Sequence, residues 1–585
     1  MVQDELTRRL GRRTLLRTSA LGGAGLAAAA LIGCGGDDDA GGDAGGVSAD
    51  ATTVAAQLDG VDVAGRRIPY QFPEPAGKTP KGGGTLVVGV TWEPSTVDPT
   101  KSAAGGTITI PNTVYNRLIG FKKGPTANPF KYEIVPELAT QWESSPDGLT
   151  ASFKIRPGVK WHNVAPLNGR AFTAGDVKFA YERYAKDGVH KSYFSNMKSI
   201  EAPDDQTLKI TLNRPQPDFI IPLAGRYLTI HPRELVDAGE IDKKAVGTGP
   251  MVLKEIKPGA VTFTKNPAYW DGNVLLDGME YRVMVDGAAQ LAAFRAGQID
   301  FGYVVGSNAT DLETLLKSNP EVQANAGSQA FSTFSMSFNL DNPKYQDERI
   351  RRAISLSMDR KEIEQVVMNG YAITLPTIPW PFLFDTAPTA ESGLLGKWWK
   401  TDRTEAKKLL QAAGQENLEL PMIYYNYSDT GNSRPNEVLV NQMRQSGIKL
   451  EAKRADYTEF NSQWIGAKFT DVADGWLTVG FDGDNFFHAQ VKSDSPGNRW
   501  RIKDSEIDGW AEQQRSELNP QARKALQRKI WDKVLDQAYR VEKPTAMAFS
   551  TYQPWLRGLR WVGALATDSN YYDWGAQAKN IWLDK

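Results

Sequence analysis

Cysteine is almost absent from this chain of 585 residues, and Cys34 is the only one. A single cysteine cannot form an intramolecular disulfide, and it cannot supply the paired thiolates of a cysteine-based zinc site. Histidine is nearly as scarce. The four histidines, His162, His190, His231 and His488, are too far apart in sequence for the short ligand spacings of a preformed metal site. We therefore expect neither a metal centre nor a cofactor.

The chain also lacks an excess of either charge. It carries 68 Lys and Arg against 69 Asp and Glu, which gives a net charge of −1, and both signs are spread along it. Nucleic-acid binding needs clustered basic side chains that neutralise phosphates. No nucleic-acid partner is expected.

Motifs of enzyme chemistry are missing as well. The sequence contains no Gly-x-Ser-x-Gly elbow, no His-Glu-x-x-His and no phosphate-binding loop that ends in Gly-Lys-Ser/Thr. Paired carboxylates are common in a chain with this many acidic residues, so counting them does not exclude a glycosidase. The absence of a catalytic motif favours a protein that is not an enzyme.

The first 33 residues have the pattern of an export signal. Arg12 and Arg13 come before an uncharged stretch, residues 20–33. As a helix, this stretch would span about 21 Å, less than the ~30 Å hydrocarbon core of a membrane. It ends in Leu31-Ile32-Gly33-Cys34, which resembles the bacterial lipobox, and the arginine pair resembles the twin-arginine signal. The resemblance implies that residues 1–33 are a signal peptide and that Cys34 receives a lipid.

A linker is predicted between Cys34 and the folded body. Residues 35–60 are rich in Gly, Asp and Ala and have little to bury, so they cannot offset the entropy cost of ordering. We expect residues 34–80 to be a flexible tether, with the folded part beginning near Lys81.

The rest of the chain mixes helix and strand signals without strict βαβ alternation. Thr173 with Asp176, Asp359, and Asn519 before Pro520 are predicted helix starts. Apolar runs predict strands at residues 82–90, 208–212, 261–264, 280–285 and 334–340. A chain of this length exceeds one hydrophobic core, so we predict an α/β protein with two or three lobes.

From Gly82 to the C-terminus the sequence resembles the extracellular solute-binding proteins of ABC importers, family 5 (peptide/nickel-type, cluster C). The resemblance rests on several motifs in order, each weak alone. They are GGTLVVGVTWEPSTVDPT (83–100), IVPELATQWESSPDGLTASFKIRPGVKWHN (134–163), LNGRAFTAGDVKFAYER (167–183), GTGPMVLKE (247–255), KNPAYW (265–270), AAFRAGQIDF (292–301), RIRRAISLSMDRKEI (349–363) and EAKKLLQAAG (405–414).

This resemblance implies a two-lobed periplasmic-binding-protein fold of type II with an appended subdomain. Lobe I would combine residues 80–122, 246–334 and 546–585, the subdomain would be 123–245, and lobe II would be 335–545. The lobes would close on a small ligand, favoured to be a peptide or peptide-like solute, and deliver it to the permease subunits of an ABC importer. The protein would be an extracytoplasmic monomer held to the cell membrane by its lipid only.

Other ligands and roles stay open beside the peptide. The same scaffold could carry an oligosaccharide, a metal chelate or another polar metabolite, or serve as a sensor or an enzyme.

The resemblance also implies ligand contacts in loops between the lobes. These are Trp92 after the first strand, Asn339 near the crossing into lobe II, Trp380 in a proline-rich loop, and four residues of the segment 474–487, namely Trp476, Asp482, Asp484 and Phe486. For Asn339 a role in bracing the backbone is an equal alternative, and for Asp482 and Asp484 a role as turn residues.

The segment 474–487 departs from the family in one respect. Where dipeptide receptors have an aspartate that pairs with the peptide ammonium, this chain has Val479. A buried ammonium without a counter-charge loses several kcal/mol, so capture of a peptide N-terminus in the usual way is in doubt.

Overall fold

The structure is a computed structural model that describes residues 61–63, 65–69, 78–101, 105–123, 133–306, 309–328, 333–373, 383–384, 388, 392–425, 433–477, 483–559 and 575–585. All of these residues belong to one structural unit. Within them, no helix is long and apolar enough to cross a membrane.

Strands and helices alternate irregularly along the chain. The strands are β1 Val61–Val63, β2 Arg66–Ile68, β3 Thr85–Val90, β4 Ile119–Phe121, β5 Ile134–Pro136, β6 Ala139–Ser144, β7 Thr150–Ile155, β8 Met197–Asp204, β9 Thr207–Leu212, β10 Met251–Lys257, β11 Ala260–Lys265, β12 Gly278–Val283, β13 Phe301–Gly306, β14 Gln323–Ser328, β15 Thr333–Phe338, β16 Ala372–Ile373, β17 Leu418–Tyr425, β18 Ile448–Ala455, β19 Val472–Leu477, β20 Arg540–Glu542, β21 Thr545–Tyr552, β22 Leu556–Arg557 and β23 Trp582–Leu583. The helices are α1 Gly105–Val114, α2 Ala174–Asp187, α3 Ile220–Ala224, α4 Arg233–Asp237, α5 Gly287–Arg295, α6 Ala309–Ser318, α7 Glu348–Ser357, α8 Arg360–Val367, α9 Arg403–Ala412, α10 Ser433–Gln445, α11 Tyr457–Trp464, α12 Asp484–Phe487, α13 Ser505–Ser516 and α14 Pro520–Asp536.

Two mixed sheets form the two lobes. The sheet of lobe I has the order β10-β11-β12-β3-β13-β21-β14, and β16 adds to it beside β21. Strands β12 and β13 run parallel to β3. The sheet of lobe II has the order β18-β17-β19-β15-β20, with β17, β18 and β19 parallel to one another.

A third sheet, β6-β7-β9-β8, is antiparallel and forms the subdomain. Its inward side chains, such as Phe153 and Leu208, belong to the same hydrophobic core as Leu86 and Met279 of lobe I. Lobe II has a separate core, in which Met336 and Trp464 are buried. The subdomain is therefore packed as part of the lobe I body.

Two connections between the lobe sheets lie side by side, apart from the excursion of the chain to β16. It leaves β14 in lobe I and enters β15 in lobe II, and it leaves β20 in lobe II and enters β21 in lobe I. Strands β14 and β21 are paired in lobe I, and β15 and β20 are paired in lobe II. The two crossings are thus neighbours.

The predicted flexible tether, residues 34–80, is wrong for strands β1 and β2. Strands β1 and β2 pair as a hairpin, and Val63 and Ile68 are buried in a second core of lobe I. Arg66 donates to the carbonyls of Pro320 and Val322 at 3.0 and 2.7 Å. The folded body therefore includes this hairpin, because the hairpin covers apolar side chains on lobe I.

Local signals in the sequence agree with the observed helix starts. The backbone N–H of Thr173 donates to Asp176 at 2.9 Å, and Asp359 accepts from the N–H of Glu362 at 3.0 Å. Asn519 accepts from the N–H of Ala522 at 3.0 Å, with Pro520 as the first helical residue. These caps are confirmed, and they satisfy N–H groups that have no partner within the helix.

Candidate ligand-binding site

The carboxyl ends of the parallel strands meet the crossings in both lobes. In lobe I, β14 runs in the same direction as β13 and leads into the first crossing, so β3, β12 and β13 end at that edge. In lobe II, Thr333 at the start of β15 pairs with Leu477 at the end of β19, and β17 and β18 end at the same edge. Ligands of open α/β sheets bind beyond the carboxyl ends of the strands. The candidate site is therefore the space between these two edges.

The lobe I edge presents apolar surface. Trp92, two residues after β3, is half-buried, and its ring lies 6.1 Å from that of Tyr281 in an edge-on contact. Glu93 accepts a hydrogen bond from the N–H of Gly259 at 2.9 Å, which holds this loop against the sheet. Val285, two residues after β12, is 75% exposed. A valine exposed to this degree at a strand end is available to an apolar partner.

The lobe II edge presents a pair of tyrosines. Tyr425 ends β17, and Tyr457 begins α11 two residues after β18. Their ring centroids lie 5.3 Å apart at an interplanar angle of 61°. Tyr457 is 55% exposed, and Asp456 caps its helix by accepting from the N–H of Glu459 at 2.8 Å. The exposed ring of Tyr457 offers a stacking face with a hydroxyl at its end.

A buried ion pair lies beside the second crossing. Lys543, the first residue after β20, places its Nζ 2.5 Å from Oδ2 of Asp474 on β19, and Asn436 on α10 donates to the same oxygen at 3.0 Å. The Lys543 side chain is 3% exposed and that of Asp474 is fully buried. The backbone N–H of Lys543 also donates to the carbonyl of Phe334 at 3.1 Å. These contacts fix the crossing segment to the sheet of lobe II.

A second buried ion pair joins Arg540 and Glu542 of β20, on the face of the sheet opposite to Asp474. Arg540 Nη2 donates to Glu542 Oε2 at 2.7 Å, and the guanidinium lies 5.3 Å from the ring of Trp500. Glu542 is paired with Ser335 across the strands, whereas Val541 is paired with Met336 in the core. The last strand of lobe II before the crossing is therefore held by charged contacts on both faces.

Three of the predicted contact residues make contacts within the protein. Asn339 is buried, donates to the Phe469 carbonyl at 3.0 Å and accepts from the N–H of Asp341 at 3.0 Å, so it braces the backbone. Asp484 accepts from Gln514 at 2.8 Å and from Arg515 at 3.0 Å. Phe486 is 1% exposed in the core of lobe II, where its ring lies 5.8 Å from that of Trp531.

Of the predicted contact residues not yet placed, Trp476 is the one that lies within the described residues. Trp476 lies on β19, opposite Phe334. Other predicted positions lie outside the described residues: Trp380, Asp482, Val479, Cys34, Arg12 and Arg13.

Several groups at the two edges were not singled out by their sequence pattern, namely Val285, Tyr425, Tyr457, Asp474 and Lys543. A tyrosine after Asp456, a helix cap that follows a strand, was the available signal for Tyr457. The pairing of Asp474 with Lys543 spans 69 residues and has no local signal.

The described residues contain no group of His, Cys, Asp and Glu able to hold a metal ion. His488 instead pairs with Glu512, at 3.1 Å from its Nε2. His162 accepts from the N–H of Gly247 at Nδ1 and contacts the Gly249 carbonyl at Nε2, at 3.2 and 2.9 Å. Burial lowers the pKa of His162 to about 4. Such a histidine is neutral and structural at neutral pH.

Comparisons with known proteins agree with one another. The model described as bacterial extracellular solute-binding proteins, family 5 Middle, matches residues 133–498. Heme-binding protein A of Haemophilus influenzae is 27% identical over 478 residues, which cover 76% of this chain and 84% of that protein. Di/tripeptide-binding protein 4 of Pseudomonas aeruginosa is 28% identical over 433 residues, 67% of this chain and 77% of that protein.

A solved structure shows the same fold. The ABC transporter substrate-binding protein CtaP from Listeria monocytogenes superposes with a TM-score of 0.73 at 22% identity, over 86% of this chain and 100% of that chain. The predicted α/β fold with two lobes is confirmed.

Proposed function

Because the chain belongs to the bacterial extracellular solute-binding proteins of family 5, we propose that it captures a small organic solute between its two lobes and passes it to the permease subunits of an ABC importer. Family membership gives it an extracytoplasmic role in solute binding. The favoured ligand is a peptide or a peptide-like solute. Closure of the lobes would let contacts from both edges act on the ligand together.

One observation carries this proposal. The carboxyl ends of the parallel strands in both lobes open at the crossings, and each edge exposes a large apolar side chain, Val285 at 75% and Tyr457 at 55%. Separately exposed apolar residues are ordinary, but here one lies on each of two edges joined by neighbouring crossings. Closure would bury both against a ligand.

The edges favour a ligand with apolar or aromatic groups. Trp92 and Tyr457 provide ring faces, and the charged groups at the crossing are already paired with each other. A relative named for di- and tripeptides supports a peptide, whereas one named for heme supports a large planar chelate as the second candidate. Val479 in place of an acidic residue makes a free peptide ammonium less important for binding.

The cellular location of the protein is part of the proposal. We infer that Arg12 and Arg13 direct export, that Cys34 carries a lipid, and that the body works as a monomer at the outer face of the cell membrane.

A binding panel tests the function. The chain from residue 35 onward is incubated with di- and tripeptides, N-acetylated peptides, heme, nickel–histidine and oligosaccharides, and its melting temperature is followed. A ligand that binds only the folded state stabilises it by about 2.7 kcal/mol at a hundredfold excess over Kd. We expect a saturable rise with one class of compound, and equal effects of free and N-acetylated peptides.

Trp92→Ala and Tyr457→Ala should each weaken this binding, and Val164→Ala, an exposed apolar residue of the subdomain, is the matched control. If no compound raises the melting temperature while one is chemically consumed, the receptor proposal fails and an enzyme takes its place.

A further inference from the structure

The subdomain contacts lobe II away from the two crossings. Asp218 lies in the turn Pro217–Phe219 of the subdomain, and Arg523 lies in the first turn of α14 in lobe II. Arg523 Nη1 is 2.9 Å from Asp218 Oδ1, with side chains 15% and 11% exposed. Leu518, between α13 and α14, also approaches the subdomain, since a methyl group added at Gly148 would lie 2.8 Å from its Cδ2. The two bodies are thus in direct contact here.

This contact cannot persist unchanged when the lobes move. The subdomain shares one hydrophobic core with lobe I, whereas α14 contributes Ile530 and Trp531 to the core of lobe II. Packed cores move as rigid bodies, and domain motion is taken up at the connections between them. A rotation of lobe II about the crossings must therefore break or form the ion pair between Asp218 and Arg523.

Hydrogen bonds connect α14, which carries Arg523, to the start of α12. Gln527, one turn after Arg523 on α14, donates to Gln514 at 3.0 Å, and Gln514 donates to Asp484 at 2.8 Å. Asp484 begins α12. The position of α12 is therefore linked to the position of α14.

We propose that Asp218 and Arg523 are positioning residues of ligand capture, whose ion pair holds the closed arrangement of the lobes. The inference rests on the proposed function, which requires closure. A buried charge that loses its partner is costly, so the broken pair favours the open arrangement, in which both groups reach water. Burial raises the pKa of Asp218 even beside the opposing charge of Arg523, so its ionised form depends on that arginine.

Single-molecule fluorescence on the full chain tests this inference without any ligand. Cys34→Ser removes the only native cysteine. Gln206→Cys in the subdomain and Ala525→Cys in lobe II, both exposed, then carry the dyes. We expect Arg523→Gln to produce a second population at longer distance. Arg523→Lys, which keeps the charge, should return most molecules to the shorter distance. The double change Asp218→Asn with Arg523→Gln removes the pair without leaving a lone charge, so its population at longer distance should be smaller than that of Arg523→Gln.

A dye pair within lobe II is the control. Dyes at Lys407→Cys and Ala525→Cys, both in lobe II, should report the same distance in every variant. If Arg523→Gln lowers the melting temperature but leaves the distance between subdomain and lobe II unchanged, the pair is a static contact and the inference is overturned. Because the protein alone is measured, this result is independent of whether any compound of the panel binds.

A second readout connects the pair to capture. For the compound that binds in the panel, Arg523→Gln should weaken affinity on the order of tenfold, since the apparent Kd rises as the competent fraction falls. Unchanged affinity together with a changed distance would also contradict a role in capture.

Discussion

Lobe I with its subdomain and lobe II place their buried charges differently. In the first body, Arg183 of α2 lies 2.5 Å from the buried Asp98, which follows β3, and contacts His231 at 3.1 Å. This network ties the subdomain to lobe I. In lobe II the ion pairs of Asp474 with Lys543 and of Arg540 with Glu542 flank the strand that leaves for lobe I. Buried charged contacts thus join the subdomain to lobe I in the first body. In lobe II they flank β20, the strand that leads into the second crossing.

Buried charges are costly unless paired, so their position shows where orientation matters more than packing alone. Apolar contacts between the sheets of lobe I and the subdomain already make one body. At the crossings only a few residues connect the lobes, and directional contacts there fix where lobe II turns.

The largest expected effect comes from breaking the pair at the crossing. Lys543→Met leaves Asp474 buried without its cation, and Oδ1 of Asp474 already has no hydrogen-bond partner. We expect a loss of about 3–5 kcal/mol in the free energy of unfolding, measured by urea denaturation. The double change Asp474→Leu with Lys543→Met should recover most of it. A double variant as unstable as the single one would show that the pair has no special role.

As the pH falls, lobe I with its subdomain should lose stability at a higher pH than lobe II. Burial lowers the pKa of His162 to about 4, that of His190 to about 4 and that of His231 to about 3, and all three lie in lobe I or the subdomain. The folded state excludes a proton that the unfolded state binds below about pH 6.5. Stability is therefore complete above that pH and falls as the pH drops towards 4, by roughly 3 kcal/mol for His162 alone.

Hydrogen exchange, corrected for its intrinsic pH dependence, measures this difference. Between pH 7 and pH 4.5, amides of β3, β7 and β9 should lose protection sooner than those of β17 and β19. A uniform loss of protection across both bodies would contradict the assignment of acid sensitivity to the buried histidines. A smaller loss of protection in His162→Gln would attribute part of the effect to this histidine.

The N-terminal hairpin should have a smaller effect. Val63 is fully buried in the second core of lobe I, with Phe294 and Leu312. Val63→Ala should cost about 1–2 kcal/mol of lobe I stability, detected as a lower urea midpoint for lobe I probes. Exposed Val189→Ala is the control. No difference between the two variants would mean that the hairpin adds nothing to the lobe.

The smallest effect on stability is expected at the site. Tyr457 is 55% exposed, so Tyr457→Ala should change the free energy of unfolding by less than about 0.5 kcal/mol, as is usual for surface changes. Affinity for the compound identified in the panel should fall all the same. A loss of stability without a loss of affinity would place Tyr457 outside the site.

Much of the fold could be predicted because its signals are local. The caps at Asp359 and Asn519 and the strands at 85–90 and 260–265 follow from neighbouring residues, and the order of motifs indicated the family. The hairpin at 61–68 could not be predicted in this way. Its apolar residues are few, and they are buried by elements such as α6 and β14, more than 200 residues later.

The site was harder to predict for the same reason. Phe486 has the aromatic character of a ligand contact, but packing against Trp531 places it in a core. Lys543 and Asp474 come together only when β19 and β20 pair with β15 from either side. Conversely, Trp92 lies in a loop at the strand end where the resemblance to the family places it, because a loop directly after a buried parallel strand always opens at the carboxyl edge.

Hydrogen–deuterium exchange with and without the bound compound tests the central claim most directly. If the ligand is held between the carboxyl edges of the two sheets, amides of residues 91–97, 284–286 and 455–458 and those flanking the crossings should gain protection together. Protection confined to one lobe, or located on strands β8 and β10 away from these edges, would contradict capture between the lobes.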